Sequence, residues 1–244
     1  MTKHPFNFAV ADPSWQDPLL QGLSKVDPCY LEELIHSSTW LPGQNQLFNA
    51  FSLPLQNVNY ILFGESPYPR RESANGYAFW DASVKEIWSP TGLSKKINRA
   101  TSMRNIMKML LVAGGYLSKT RTGQDEIAQL DKQHFVQTNA ELFHNFLQKG
   151  FLLLNATLVL QAGSPQKDAR YWYPFVQHIL SVVIKKRPHV KFLLLGRIAN
   201  SIEKIIGDLP VDKIIAEHPY NHSFIGNTAV LDFFKPLNIL NKNQ

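Results

Sequence analysis

One cysteine, Cys29, in a chain of 244 residues leaves no partner for an intramolecular disulfide and excludes any four-cysteine metal or iron–sulfur site. No segment that reads as a helix carries two histidines at a metal spacing beside carboxylates, so neither a metal nor any other cofactor is expected. Long apolar runs are missing too: none approaches the roughly 18 residues that cross a bilayer. The segment MTKHPFNFAVADPSW lacks the basic-then-apolar order of a secretory signal. A soluble, cytoplasmic, monomeric protein with no membrane partner is the expectation. Repeats and low-complexity tracts are absent. No strand is followed by G-x-G-x-x-G or a P-loop pattern, which weakens the reading of a general nucleotide-binding enzyme.

What is present is enough for one sizeable core. Hydrophobic residues make up 44% of the chain, and a single domain over residues 1–244 is expected, with 1–57 a mostly helical or irregular extension of it. The net charge of +6, with clusters KKINR (95–99) and KKR (185–187), favours a polyanionic partner, although such surfaces are often only solvated. From residue 58 onward, VNYILFG (58–64), FLLLN (151–155), VKFLLLG (190–196) and DKIIAEH (212–218) read as buried strands. Between them, Phe135, Leu142, Phe143, Phe146 and Leu147 read as one helical face ahead of Gly150. Phe175, Val176, Ile179, Leu180, Val183 and Ile184 read as another, ending before Pro188. Strand and helix in alternation predict an α/β fold: three layers, α/β/α, around a central four-stranded parallel sheet.

Ligands of open parallel sheets bind beyond the carboxyl ends of the strands. The first strand ends in Gly64-Glu65-Ser66-Pro67-Tyr68, the second in Asn155, the third in Gly196-Arg197 and the fourth in His218-Pro219. Singly, Asn155 could terminate a strand, Gly196 could make a turn, and His218 could be a satisfied buried histidine. Four such ends together nominate a site.

These ends carry a resemblance. GESPYP followed by ANGYAF is similar to the water-activating motif of the uracil-DNA glycosylase superfamily, GQDPYH followed by A-x-G-L-A-F, without a gap from Gly64 to Phe79. FLLLNATLVLQAGSP resembles that superfamily's base-reading LLLN strand and the loop after it, FLLLGR its Gly-Ser loop strand, and AEHPYNHSFIG its HPSP leucine loop. The resemblance runs from about residue 58 to 235. It implies a DNA glycosylase that flips uracil, or another deaminated or modified base, from single- or double-stranded DNA and cuts its N-glycosidic bond by water attack, in base excision repair. Phe79 would then stack on the base, Asn155 would read its edge, Tyr68 would wall off C5 against a methyl group, and a neutral His218 would donate to the uracil O2. Ser89, Pro90, Gly163, Ser164 and Arg197 would contact the DNA backbone, and His222 stands at the offset of the wedge that fills the vacated stack.

Departures from the pattern bear on the chemistry. Ser66 stands where the common motif has Asp, and a hydroxyl supplies neither negative charge nor a base at neutral pH. Loss of a general base is worth about 10² to 10⁴ in rate. Glu65 resembles the Glu of the iron–sulfur-bearing branch, where it is a proposed water-activating group, although this chain lacks that branch's cysteines. Neighbouring side chains of an extended segment alternate, so Glu65 faces either the water or solvent. Pro69 replaces a common His, as in the poxviral branch, and Phe224 is an alternative wedge to His222. The competing reading is a glycosylase-fold module that binds DNA or uracil with weak or no catalysis.

Overall fold

The computed structural model describes residues 5–161, 165–207, 209 and 211–242. In chain order the strands are β1 (Tyr60–Gly64), β2 (Trp88–Ser89), β3 (Gly92–Leu93), β4 (Phe151–Asn155), β5 (Lys191–Leu195) and β6 (Asp212–Ala216). The helices are α1 (Gln16–Leu23), α2 (Pro28–His36), α3 (Lys95–Arg99), α4 (Thr101–Ala113), α5 (Gln124–Ala128), α6 (Asn139–Gln148), α7 (Pro165–Lys186), α8 (Ile198–Ile206) and α9 (Thr228–Phe234). The central sheet is four-stranded and parallel, in the order β4-β1-β5-β6, and helices flank it in a three-layer α/β/α arrangement. Each apolar run chosen from the sequence forms a strand, FLLLN over its full length and the other three shorter by two residues. β6 corrects the expectation of four buried strands: it is the last strand of the sheet order and none of its residues is buried.

The chain groups into two compact units. The first comprises Met1–Asp81, Gly150–Leu194 and Ile198–Lys213; the second comprises Ala82–Lys149, Leu195–Arg197 and Ile214–Gln244. In the first unit, Ile61 and Phe63 of β1, Leu152 and Leu154 of β4, and Phe192 of β5 alternate toward one core. There they meet Trp172, Phe175, Val176, Ile179 and Val183 of α7. Residues before the first strand join that core: Trp15, Leu19, Phe48 and Phe51 are all fully buried. The Trp15 indole N–H donates to Leu53 O at 2.7 Å and fixes this irregular segment.

In the second unit, α6 begins at Asn139, not at Phe135. A capping box starts it, with Thr138 accepting from the Glu141 N–H and Glu141 accepting from the Thr138 N–H. Phe135 is buried, but in a bridge to Asn241 ahead of the helix, so its place in the helical face is corrected. Strands β2 and β3 make a small antiparallel hairpin whose turn is Pro90-Thr91. Among the described residues, no helix is long and apolar enough to cross a membrane, and no cluster of His, Cys, Asp and Glu could hold a metal ion.

Candidate functional site

In the first unit, β1 and β4 lie side by side with Gly64 in register with Asn155. The chain stays coupled past the strand ends, because Ala156 N–H donates to Gly64 O at 2.9 Å and Thr157 N–H to Glu65 O at 3.2 Å. Gly64 is dictated by what packs on it. A Cβ there would stand 2.3 Å from Asn155 Oδ1 and 3.0 Å from Ala78 Cβ. The Asn155 amide therefore lies directly over the glycine. It is 4% exposed, and among the described residues no group hydrogen-bonds to it. Its donor and acceptor are therefore open at the end of the strand.

The segment after β1 folds back onto the same strands. Ala78 N–H donates to Leu153 O at 3.0 Å, and the next residue, Phe79, takes φ +62°, a left-handed conformation that costs a non-glycine residue roughly 1–2 kcal/mol. Tyr68 donates its hydroxyl to Phe79 O at 3.1 Å, tying the two expected pocket residues together. Burial, then the nearby Asp81 carboxylate, raises the Tyr68 pKa, so the phenol stays protonated. Asp81 is 3% exposed and pairs with Arg70 at 3.3 Å, closing the loop between residues 70 and 81. Sequence reasoning passed over Asp81, although a carboxylate directly after the apolar run YAFW was its available signal. Glu65 is exposed, and the Ser66 hydroxyl is half-buried, 3.4 Å from Pro67 O.

The second unit carries the other expected residues. Gly196 takes φ +77°, and a Cβ on it would meet His218 Cβ at 2.6 Å, so a glycine lets the histidine backbone come close. Gly196 N–H donates to Ala216 O at 2.8 Å. His218 Nδ1 accepts from the Tyr220 N–H at 3.0 Å, which leaves the ring proton on Nε2. Burial alone would raise the pKa of Glu217, but its own N–H together with Ser223 and Asn227 outweighs that and holds it below the usual carboxylate value. Arg197 and His222 are exposed. Phe224 is fully buried and cannot serve as a wedge, which corrects that alternative. The exposed aromatic of this loop is instead Tyr220, at 67%. Sequence reasoning missed it because the family offset drew attention to His222.

The β2–β3 turn displays Pro90 and Thr91 to solvent, while Ser89 Oγ donates to Leu93 O at 3.1 Å. Gly163 and Ser164, expected to hold DNA, lie outside the described residues. The structure thus brings Glu65, Ser66, Tyr68, Phe79 and Asn155 together in one unit, and Gly196, Arg197, His218 and His222 in the other.

The loop that follows β1 and the Asn155 amide beside it at the carboxyl end of the parallel sheet make up the candidate site. Comparison with known proteins places the chain in a family. No family model matches the chain. The wild-type UNG crystal structure from Nitratifractor salsuginis is 39% identical, with a TM-score of 0.90 over 96% of this chain and 94% of that one. The uracil-DNA glycosylase of Amoebophilus asiaticus is 28% identical over 230 residues, 88% of each chain. That of Borreliella burgdorferi is 26% identical over 210 residues, 81% of this chain and 78% of its own. Mimivirus uracil-DNA glycosylase, 17% identical with a TM-score of 0.59 over 86% of this chain and 69% of its own, shares the fold. The chain belongs to the uracil-DNA glycosylase superfamily.

Proposed function

We propose that this chain hydrolyses the N-glycosidic bond between uracil and deoxyribose in DNA, after the nucleotide has swung out of the stack. One observation carries the reading: Asn155 is 4% exposed and its amide has no hydrogen-bond partner among the described residues. A planar amide presents one donor and one acceptor side by side, the complement of the carbonyl and N–H on a uracil edge. A matching base edge pairs both groups at once.

The remaining roles follow from position and chemistry. Tyr68, neutral and tied to Phe79, walls off the position where thymine carries its methyl group, and Phe79 offers a stacking face. His218, with its proton on Nε2, donates to the uracil O2 as negative charge collects there. Glu65 orients and deprotonates the attacking water, because Ser66 cannot and Asp81 is committed to Arg70. Ser89, Pro90, Gly163, Ser164 and Arg197 hold the DNA backbone, and Tyr220, beside His222, offers an exposed ring for stacking in the duplex. The protein acts as a cytoplasmic monomer on uracil-containing DNA, without a cofactor.

The second reading, a module that binds DNA or uracil without efficient catalysis, is favoured by Ser66 and by the solvent exposure of Glu65. Oligonucleotides carrying a single uracil, hypoxanthine or mismatched thymine, incubated with the protein and cleaved with alkali, separate the two. Strand breaks at uracil and none at thymine are expected. Tight binding with no breaks at any base replaces the enzyme by the module.

A further inference from the structure

Asn105 sits on α4 with 2% of its surface exposed. An amide at a core-facing position in mid-helix weakens the helix and costs desolvation unless its hydrogen bonds are made. Its Nδ2 donates to Pro219 O at 2.7 Å and lies 3.4 Å from both Tyr220 O and Asn221 O. One buried side chain therefore faces three successive carbonyls of the loop that begins at His218, and the short contact is to Pro219.

The Pro219 carbonyl and the Tyr220 N–H belong to the same peptide unit. That unit is planar and trans, so its C=O and N–H point in opposite directions, and anchoring one aims the other. The anchored end is the carbonyl held by Asn105. The aimed end is the N–H that reaches His218 Nδ1 at 3.0 Å. A hydrogen bond accepted by the carbonyl also polarises the N–H and strengthens what it donates. Asn221 N–H donates back to His218 O at 2.8 Å, so the turn is closed on both sides of this peptide.

We propose that Asn105 is the positioning residue of His218: through the Pro219–Tyr220 peptide it keeps the imidazole proton on Nε2 and fixes the direction in which that N–H donates. The proposal rests on the role assigned to His218 in uracil excision, but its first consequence, the tautomer, is read without any activity. A loop anchor of purely structural value would stabilise residues 219–221 and leave the ring's proton position and the chemical step alone.

The test uses protein labelled with 15N at histidine. In the wild type the His218 ring spectrum should report a bare Nδ1 and a protonated Nε2. In Asn105→Ala the two tautomers should mix, kcat for uracil-containing DNA should fall at least about tenfold, bounded by the roughly 10² to 10³ of losing an oxyanion donor outright, and KM should stay within about threefold. Asn105→Ser, which keeps a short donor in a smaller side chain, should recover part of both signals and serves in place of the alanine variant if that one does not fold. In a His218→Ala background, Asn105→Ala should lower the rate no further. An unchanged His218 ring spectrum in a folded Asn105 variant, or an equal loss of rate in both backgrounds, overturns the proposal. Should the wild type excise no base at all, the excision reading fails by itself and the ring spectra alone decide the role of Asn105.

Discussion

Replacing Gly64 by alanine isolates the contact on which the proposed base reading by Asn155 depends. The backbone at Gly64 does not need glycine, since its φ is not among the positive values found at seven other glycines. The added methyl is therefore opposed by packing alone. It would stand 2.3 Å from Asn155 Oδ1, against an ordinary contact of about 3.4 Å, so the amide must retreat by roughly 1 Å, and Ala78 Cβ at 3.0 Å blocks escape of the methyl on the other side. A misplacement of that size in a positioned group costs up to about 10² in rate. Overpacking of a well-filled site costs about 1–3 kcal/mol, and each kcal/mol lowers Tm by about 2–4 °C in a chain of this size. Gly64→Ala should thus reduce single-turnover excision of uracil by about two orders of magnitude. It should melt several degrees early, and Asn155→Ala should restore most of that stability by removing the obstacle. A folded Gly64→Ala protein that excises uracil within about threefold of the wild type would refute the reasoning, because the amide would then not be held where the geometry puts it.

Glu65→Gln should lower single-turnover uracil excision by about 10² or more, in line with removing a positioned base, while Ser66→Ala costs much less. Ser66→Asp should restore fast excision to the Glu65→Gln protein but help the wild type little, since adjacent carboxylates raise one another's pKa; a silent Glu65→Gln together with a strongly accelerated Ser66→Asp would make Glu65 a bystander. Tyr68→Ala should admit thymine by vacating the space of its methyl group, measured as strand breaks at a thymine mismatch, and a uniform loss on all bases would make the ring structural. Tyr220→Ala should weaken binding to uracil-containing duplex by about 1–3 kcal/mol in a titration at fixed salt, and unchanged affinity would remove Tyr220 from the interface.

The sheet and its polar strand ends were legible because runs such as FLLLN are short, apolar and stopped by residues that do not continue a strand. Asn155 and His218 could be picked out on the same ground. The start of α6 was misjudged at Phe135 because an aromatic in phase with the helical face outweighed a capping box, Thr138 with Glu141, that was equally present in the sequence. Residues before β1 gave no period to follow, since short 3-10 turns and an irregular chain deliver Trp15, Phe48 and Phe51 to the core. The supports of the site were hidden for a different reason. Asn105 interrupts an apolar face as many harmless polar residues do, Asp81 looks like a loop carboxylate, and Tyr220 looks like one aromatic among several. Only the folded chain shows their partners: Pro219, far along the sequence, for Asn105; Arg70, across its own loop, for Asp81; and, for Tyr220, a backbone N–H turned onto His218.

The most direct test of the account compares uracil and cytosine as single lesions under single-turnover conditions in the wild type and in Asn155→Asp. A carboxyl group presents a different order of donor and acceptor from an amide, so the wild type should excise uracil and spare cytosine, while Asn155→Asp should lose uracil excision and gain detectable cytosine excision. If Asn155→Asp keeps the wild type's preference, or loses activity on both bases in equal proportion, the buried amide does not read the base and the central claim fails.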